Sequence, residues 1–420
     1  MISLYQHQEV AKRFIHEKKW VLIGDEMGLG KSLEAIAALV NVKGPKVIVV
    51  PAMLRHTWKS EILKWFPTET VEVVSTGKHV YKTADWYITS YGLVKHCEVI
   101  PKAVIIDECH YIKNVKAKRT LSVAEFVLSN KPEYLVALSG TPIKNNATEF
   151  YSILKLLSQC PSNTNGSKVT EKSQYAFNMR FSRPVTQTIH GPNGPIDITK
   201  FEGIRNLDRL KGYLKGKYLR RLTKSVIDLP PLIDKDILLE KRTKAKELKK
   251  AYEASEEGDK SEHIMTVKAE NALSKAKDTA EYVSDLVEQG EAVVVFTDHI
   301  KPCEEITDHL AGKKIKVGMI DGGTPSKKRS DLVEQFQGEV LDVLVCTIGA
   351  ASTGFTLTRA RNLVFNDYSW GAVDMAQAKK RIHRIGQDEK CVIHYMLSSD
   401  VDKWIKQKVL DKEKMLGKVL

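Results

Sequence analysis

Short, nearly uninterrupted apolar runs punctuate this chain. In its first third stand WVLIG (20–24), KVIVVP (46–51), VEVVS (71–75), WYITS (86–90), AVIID (103–107) and YLVALSG (134–140). Near its end stand AVVVFT (292–297), KVGMID (316–321), DVLVCT (342–347), NLVFND (362–367) and CVIHYML (391–397). Such runs, without polar alternation, predict strands buried on both faces of a parallel sheet. Amphipathic stretches between them predict helices at SLEAIAALV (32–40), MLRHTWKSEILKWF (53–66), TLSVAEFVLS (120–129), 301–311, 325–336 and 373–384. Strand–helix alternation on this scale specifies two α/β lobes.

The middle breaks the rhythm. Residues 159–200 are loop-rich, and TQTIHGPNGPIDIT (186–199) predicts a hairpin around a Gly/Pro turn. Residues 241–285 are dense in Lys, Glu and Ala with ten charges of each sign, which predicts long solvent-exposed helices. We therefore place a first lobe at 1–158, its insertion at 159–228, a helical entry to the second lobe at 229–288, and the second lobe at 289–420.

Composition narrows the class. Hydrophobic residues make up 42% and charged residues 28%, which excludes wholesale disorder. No apolar run reaches the ~18 residues of a membrane helix, and MISLYQHQEV lacks a signal-peptide pattern. The cysteines at 97, 109, 160, 303, 346 and 391 form no CxxC pair, which argues against a zinc module or disulfide scaffold and for a reducing, intracellular setting. The 65 Lys+Arg against 52 Asp+Glu give +13, which admits a polyanionic partner. Residues 200–224 hold nine Lys/Arg against Glu202 and Asp208; we read them as a contact to nucleic acid in preference to a solvated helical face.

Candidate chemistry begins where strand 20–24 runs into DEMGLGKS (25–32) and then a helix. Gly28 and Gly30 permit a tight turn with N–H groups facing phosphate oxygens. Lys31 reaches the β- and γ-phosphates, and Ser32 holds Mg²⁺ at the helix N-terminus. Asp25 stands where the strict GxxxxGK[ST] pattern wants its first glycine. AVIIDECH (103–110) ends a strand in adjacent acids: Asp107 to orient the metal and Glu108 to polarise the attacking water. Separately, the first motif reads as a phosphate loop in preference to an incidental Gly-rich turn, and the second as a catalytic pair in preference to solvated acids. Together they predict an NTPase. Cys109 reads as a small residue filling space behind the acids.

Further segments follow in fixed order: PAMLRHTWKSEILKWFP (51–67), ITSYG (88–92), LSGTPIKNN (138–146), DGGTPSKKR (321–329), TIGAASTGFTLT (347–358) and QAKKRIHRIGQ (377–387). Joined to DEMGLGKS and DECH, they resemble the Swi/Snf-type DNA-translocating ATPases of helicase superfamily two, over nearly the whole chain. FEGIRNLDRLKGYL (201–214), RRLTKSVIDLP (220–230) and QAKKRIHRIGQ look most like the compact annealing-helicase, or fork-remodelling, branch of bacterial or phage type.

The resemblance implies two RecA-like lobes with ATP between them and Mg²⁺ as cofactor. It implies that Gln8 reads the adenine. Arg381 and Arg384 act as arginine fingers flanked by Gln377 and Gln387, and Ser139, Gly140 and Thr141 couple nucleotide state to the nucleic-acid side. It further implies sequence-independent backbone contacts to double-stranded or branched DNA through Lys59, Thr89, Ser90, Thr347, Ser352, Gly354 and Trp370, with the protein acting as a monomer. Trp58 has two readings, DNA contact or helix packing, and Trp370 shares them. If 377, 381 and 384 lie on one helix, their spacing puts them on one face, suited to neutralising charge on a transferring phosphate. Two departures from the family stand out: DECH where alanine is usual, and GAV after Trp370 where proline is common. A strand-separating helicase remains the alternative, with the 185–199 hairpin as its wedge; a catalytically silent binding scaffold is disfavoured because the catalytic set is complete.

Overall fold

A computed structural model describes residues 3–140, 147–162, 167–191, 194–239, 261–353, 355–398, 402–403, 405–407 and 409–411. The chain divides into two compact units, Met1–Ile227 and Asp228–Leu420.

In chain order the first unit contains α1 (Gln6–Lys18), β1 (Trp20–Ile23), α2 (Lys31–Leu39), β2 (Lys46–Val50), α3 (Arg55–Trp65), β3 (Val71–Val73), β4 (Trp86–Ser90) and β5 (Ala103–Ile106). There follow α4 (Lys118–Asn130), β6 (Tyr134–Leu138), α5 (Tyr151–Leu157), α6 (Gln174–Phe181), β7 (Arg183–Gly191), β8 (Gly194–Glu202), α7 (Leu207–Leu214), β9 (Tyr218–Leu219) and α8 (Thr223–Val226). Seven strands form one sheet in the order β3-β4-β2-β5-β6-β1-β9, every pairing parallel. β1, β2, β4 and β5 are buried at every residue, which is why their sequences are apolar without alternation. On one face α1, α2 and α3 press Ile15, Ile36, Leu39, Trp58 and Ile62 onto the strands.

The insertion belongs to this unit. β7 and β8 pair antiparallel from Arg183–Glu202 to Gly191–Gly194 as a two-stranded sheet of their own, longer than the predicted 186–199 hairpin. β9 extends the main sheet beside β1. Two residues carry too little pattern for a strand to be predicted there.

The second unit runs β10 (Leu232–Leu238), α9 (Ser261–Glu288), β11 (Val293–Thr297), α10 (Ile300–Gly312), β12 (Val317–Ile320) and α11 (Ser326–Gln337). It continues through β13 (Val343–Thr347), β14 (Asn362–Phe365), α12 (Ala372–Lys379) and β15 (Cys391–Leu397). Its six strands lie parallel in the order β10-β15-β14-β11-β13-β12. β10, LIDKDIL, is an exposed edge strand inside the stretch predicted to be helical, and its charges hid it from a search for apolar runs.

The expectation of solvent-exposed helices over 241–285 needs correction for α9. Ala272, Ala276, Ala280 and Val283 are fully buried, spaced four and three residues apart, and the last three pack with β11 and α10. Lys275, also fully buried, donates to Asp402 Oδ1 at 3.2 Å. Charge balance averaged over the helix concealed a stripe of small residues on one face. Residues 241–260 of that expectation lie outside the described residues. Among the described residues no helix is long and apolar enough to cross a membrane, and all six cysteines are free thiols.

Candidate active site

In the first unit β1, β6, β5 and β2 are sheet neighbours, and the loops at their carboxyl ends converge, as ligand sites in parallel sheets do. β1 delivers the phosphate loop, β6 delivers Ser139 and β5 delivers Asp107 and Glu108. Gly28 (φ 92°) and Gly30 (φ 87°) take left-handed backbone, and a Cβ on Gly30 would meet Gln8 Nε2 at 2.5 Å. Gln8, buried on α1, donates from Nε2 to Leu29 O at 3.2 Å and accepts from Tyr5 N–H at 3.1 Å. It therefore braces the loop from behind. Lys31 opens α2 and donates its Nζ to the carbonyls of Asp25 (2.8 Å) and Glu26 (3.3 Å). Burial lowers the Lys31 pKa, and the Glu108 and Asp25 carboxylates oppose that shift. Ser32 follows in the first turn of α2.

Asp107 is held from three sides. Trp58 on α3 donates its indole N–H to Oδ2 at 2.7 Å, Glu108 N–H donates to Oδ1 at 2.9 Å, and Tyr91 Oη donates to its carbonyl at 2.6 Å. Burial and the Glu108 charge push its carboxyl up to about 7, against the pull of Trp58. Glu108 adopts left-handed backbone (φ 50°, ψ 52°), uncommon for a residue with a side chain, where β5 gives way to a short 3-10 helix. His110 Nδ1 lies 3.1 Å from Glu108 Oε2 and 3.5 Å from Ser139 Oγ. At the end of β6 a Cβ on Gly140 would meet Met27 Cγ at 2.5 Å and Lys31 Nζ at 3.3 Å. Only glycine permits that approach. Thr141 lies outside the described residues. Cys109 is 3% exposed with its thiol pKa pushed up by burial, in line with a space-filling role.

A small hard cation takes oxygen donors. The Ser32 hydroxyl and the pre-oriented Asp107 carboxylate form such a set, so these residues fit Mg²⁺.

The second unit carries the RIHRIGQ motif differently from the expectation. α12 holds Gln377, buried, but ends at Lys379. Arg381, Ile382 and His383 continue in tight turns, with Arg381 N–H bonded to Ala378 O at 3.0 Å and His383 N–H to Lys379 O at 3.1 Å. Gln377, Arg381 and Arg384 therefore do not share a helical face. The turn has a physical cause. Gln387 donates to the carbonyls of Thr358, Ala360 and Ile382, and His383 Nε2 lies 2.7 Å from Pro230 O, so tertiary partners outbid the helix. Arg381 donates to Phe355 O at 3.4 Å, and both arginines are half-buried.

Of the residues expected at DNA, Thr89 (0% exposed) and Ser90 (6%) are buried at the end of β4, and Thr347 (6%) at the end of β13. Lys59 lines an open groove of about 500 Å³ with His56, Glu72, His79 and Lys82. Ser352 sits in a short 3-10 helix, Ile348–Thr353, and Gly354 lies outside the described residues. Trp370 packs, half-buried, against the second unit's core. Of the nine cations in 200–224, Lys217 is fully buried and Arg220 and Arg221 bond within the first unit, so the exposed set is smaller than the net charge implied. Sequence reasoning gave His110 no role and did not foresee Trp58 as the partner of Asp107. An indole N–H aimed at a strand-end acid leaves no mark in sequence spacing.

The SNF2-related domain family matches residues 5–290, and the helicase conserved C-terminal domain matches residues 275–386. The chain belongs to the SNF2-related family. Its two parallel-sheet lobes are of the RecA-like kind that the motifs implied. The SWI/SNF-related matrix-associated actin-dependent regulator of chromatin subfamily A-like protein 1 of Xenopus tropicalis is 29% identical over 94% of this chain and 43% of its own length. The Bos taurus protein of that name is 30% identical over 99% of this chain and 44% of its own length. The DNA annealing helicase and endonuclease ZRANB3 of Bos taurus is 29% identical over 90% of this chain and 37% of its own length. The chain thus spans about two-fifths of these curated relatives. The last of these is named as a DNA annealing helicase, the branch that the motifs resembled. Among solved structures, the Sulfolobus solfataricus SWI2/SNF2 ATPase core in complex with dsDNA is 22% identical, covering 100% of this chain and 93% of that one, with a TM-score of 0.46.

Proposed function

We propose that this SNF2-family chain is a DNA-dependent ATPase that uses hydrolysis to move, as a monomer, along double-stranded or branched DNA, annealing strands or remodelling forks. One observation carries the reading: Lys31, Ser32, Asp107, Glu108 and Ser139 meet at the carboxyl ends of adjacent parallel strands. Lys31 and the loop N–H groups bind the phosphates, and Gln8 fixes the loop beside the adenine. Ser32 and Asp107 would hold Mg²⁺, which when bound neutralises charge on the β- and γ-phosphates. Glu108, turned by its left-handed backbone, takes a proton from the attacking water. His110 links that base to Ser139, giving the end of β6 a route by which DNA engagement reaches the chemistry. Arg381 and Arg384 supply the guanidinium charge that the transferring phosphoryl group needs. Relatives named as an annealing helicase support the branched-DNA substrate.

The test is phosphate release measured with single-stranded, duplex, forked and four-way DNA, alongside displacement of a third strand from a triplex. Stimulation by duplex or branched DNA, its loss in Lys31→Ala and Glu108→Gln, and triplex displacement are the expected results. Strong hydrolysis without DNA overturns the proposal. A second reading, strand separation, draws on the β7–β8 hairpin, none of whose described side chains is buried. Fork unwinding without triplex displacement would favour it.

A further inference from the structure

The segment closing the first unit threads back into the phosphate loop. Leu22 N–H bonds to Lys217 O (2.6 Å), Gly24 N–H to Leu219 O (2.7 Å) and Glu26 N–H to Arg221 O (2.9 Å). In return, Thr223 N–H donates to the Glu26 carboxylate at 2.7 Å and Arg220 to Gly24 O at 3.2 Å. Strand β9 and the residues after it thus line the loop as an extra strand lines a sheet.

Arg221 does more than pair. Its Nε donates to both Asp25 oxygens, at 3.2 and 3.0 Å, and Nη2 to Asp25 Oδ2 and to Glu34 Oε1, the latter at 3.1 Å. Nη1 donates to His7 O. Asp25 and Glu34 are both 0% exposed. One guanidinium therefore grips α1 beside Gln8, the loop before Gly28 and Gly30, and the first turn of α2 beyond Lys31 and Ser32. The Asp25 it fixes also presents the carbonyl that receives Lys31 Nζ at 2.8 Å. Only a planar fork serves three acceptors in three directions; burial and the neighbouring Asp25 push the Glu34 carboxyl up to about 9, so the buried acid pair keeps one charge, and leaving that charge without its guanidinium is unfavourable.

We infer that Arg221 is a positioning residue for nucleotide binding: from 196 residues downstream of Asp25 it sets the shape of the phosphate loop and ties the basic insertion's exit strand to the ATP site. The inference rests on the ATP-site reading above. It also gives the insertion a physical route to the loop, because β9 continues directly from α7.

The experiment measures affinity for a fluorescent ADP analogue, with KM and kcat for ATP, in wild type, Arg221→Lys, Arg221→Gln, Lys31→Ala and Val127→Ala, all well below each melting midpoint. Val127 is a buried residue of α4, with no hydrogen bond to the loop from its apolar side chain, and controls for lost stability alone. We expect Arg221→Gln to weaken nucleotide binding at least about 10-fold, the scale on which lost support of binding groups is felt. Arg221→Lys should fall between it and wild type, methylguanidinium should restore part of the Arg221→Gln loss, and Val127→Ala should bind normally. Should Arg221→Gln not fold, Arg221→Lys carries the test, since one ammonium cannot span the three acceptors. Wild-type affinity in Arg221→Lys and Arg221→Gln, or an equal loss in Val127→Ala, overturns the inference alone. Failure of the wild type to bind, or undiminished binding by Lys31→Ala, overturns the ATP-site reading and the inference with it.

Discussion

Replacing Trp58 with Phe tests whether the indole sets up the metal-side carboxylate. The substitution keeps an aromatic ring in the α3 core site, where Trp58 is 3% exposed, and removes the N–H that donates to Asp107 Oδ2 at 2.7 Å. A hydrogen bond to a charged acceptor contributes about 1.5–3 kcal/mol. At about 1.4 kcal/mol per factor of ten, its loss lowers kcat/KM for ATP by roughly 10- to 100-fold if Asp107 must be oriented for turnover. A second signature follows from the sign of the shift. Asp107 already sits high, at about 7, because of burial and Glu108, and Trp58 opposes that rise. Without Trp58 the carboxyl rises further, so the acid limb of the pH–rate profile moves to higher pH. The assay is DNA-stimulated phosphate release titrated with Mg²⁺ and scanned in pH. Ile62→Val, in the same core cluster, is the packing control; it should lower the urea midpoint and leave kcat and Mg²⁺ dependence alone. A folded Trp58→Phe protein with kcat/KM, Mg²⁺ dependence and acid limb all matching wild type would refute the reasoning.

Other consequences can be measured directly. Gly30→Ala forces a side chain into left-handed backbone against Gln8 Nε2, a cost of about 1–2 kcal/mol that should appear as weaker nucleotide binding by equilibrium titration; unchanged affinity would show that the loop shifts freely. Neutralising the exposed Arg209, Lys211 and Lys215 should reduce the slope of log K against log[salt] for duplex DNA by up to about 0.9 for each phosphate these side chains neutralise, with DNA-free hydrolysis unchanged. An unaltered slope would make this a solvated face. His394, buried between Tyr282 Oη (3.0 Å) and Asn362 Oδ1 (2.9 Å), has its pKa lowered by burial to about 4. Unfolded chains bind its proton near pH 6.5 and the folded unit does not, so stability falls as pH drops from about 6.5 toward 4, by about 3 kcal/mol in all. Urea midpoints at pH 7 and 5 should differ less in His394→Gln than in wild type; equal differences would show that His394 is not the group responsible.

Much of the fold was legible because burial on both faces leaves a coarse trace. β2, β5 and β13 appear in sequence as KVIVV, AVII and VLVCT, short runs rich in β-branched residues that a sheet covered on both faces favours. The phosphate loop and its acids were legible for a related reason: positive-φ glycines, a lysine at the helix start and acids at a strand end are local demands met by local residues. The failures share a cause as well. β10 is an edge strand and carries charge like a loop. α9 buries a stripe that its balanced charges disguise. α12 stops at Lys379 because His383 and Gln387 find partners in other parts of the second unit.

By itself the sequence determined the two parallel-sheet lobes, the phosphate loop at Gly28–Ser32, the acids Asp107 and Glu108, and the SNF2-type character. Each is encoded in contiguous residues through periodicity or backbone conformation. Tertiary structure alone decided that Trp58 orients Asp107, that His110 stands between Glu108 and Ser139, and that Arg221 clamps Asp25 and Glu34. Those assignments depend on which side chains from distant segments meet in low dielectric, where an unpaired polar group is too unfavourable to persist. The folded sheet specifies that pairing; no local spacing does.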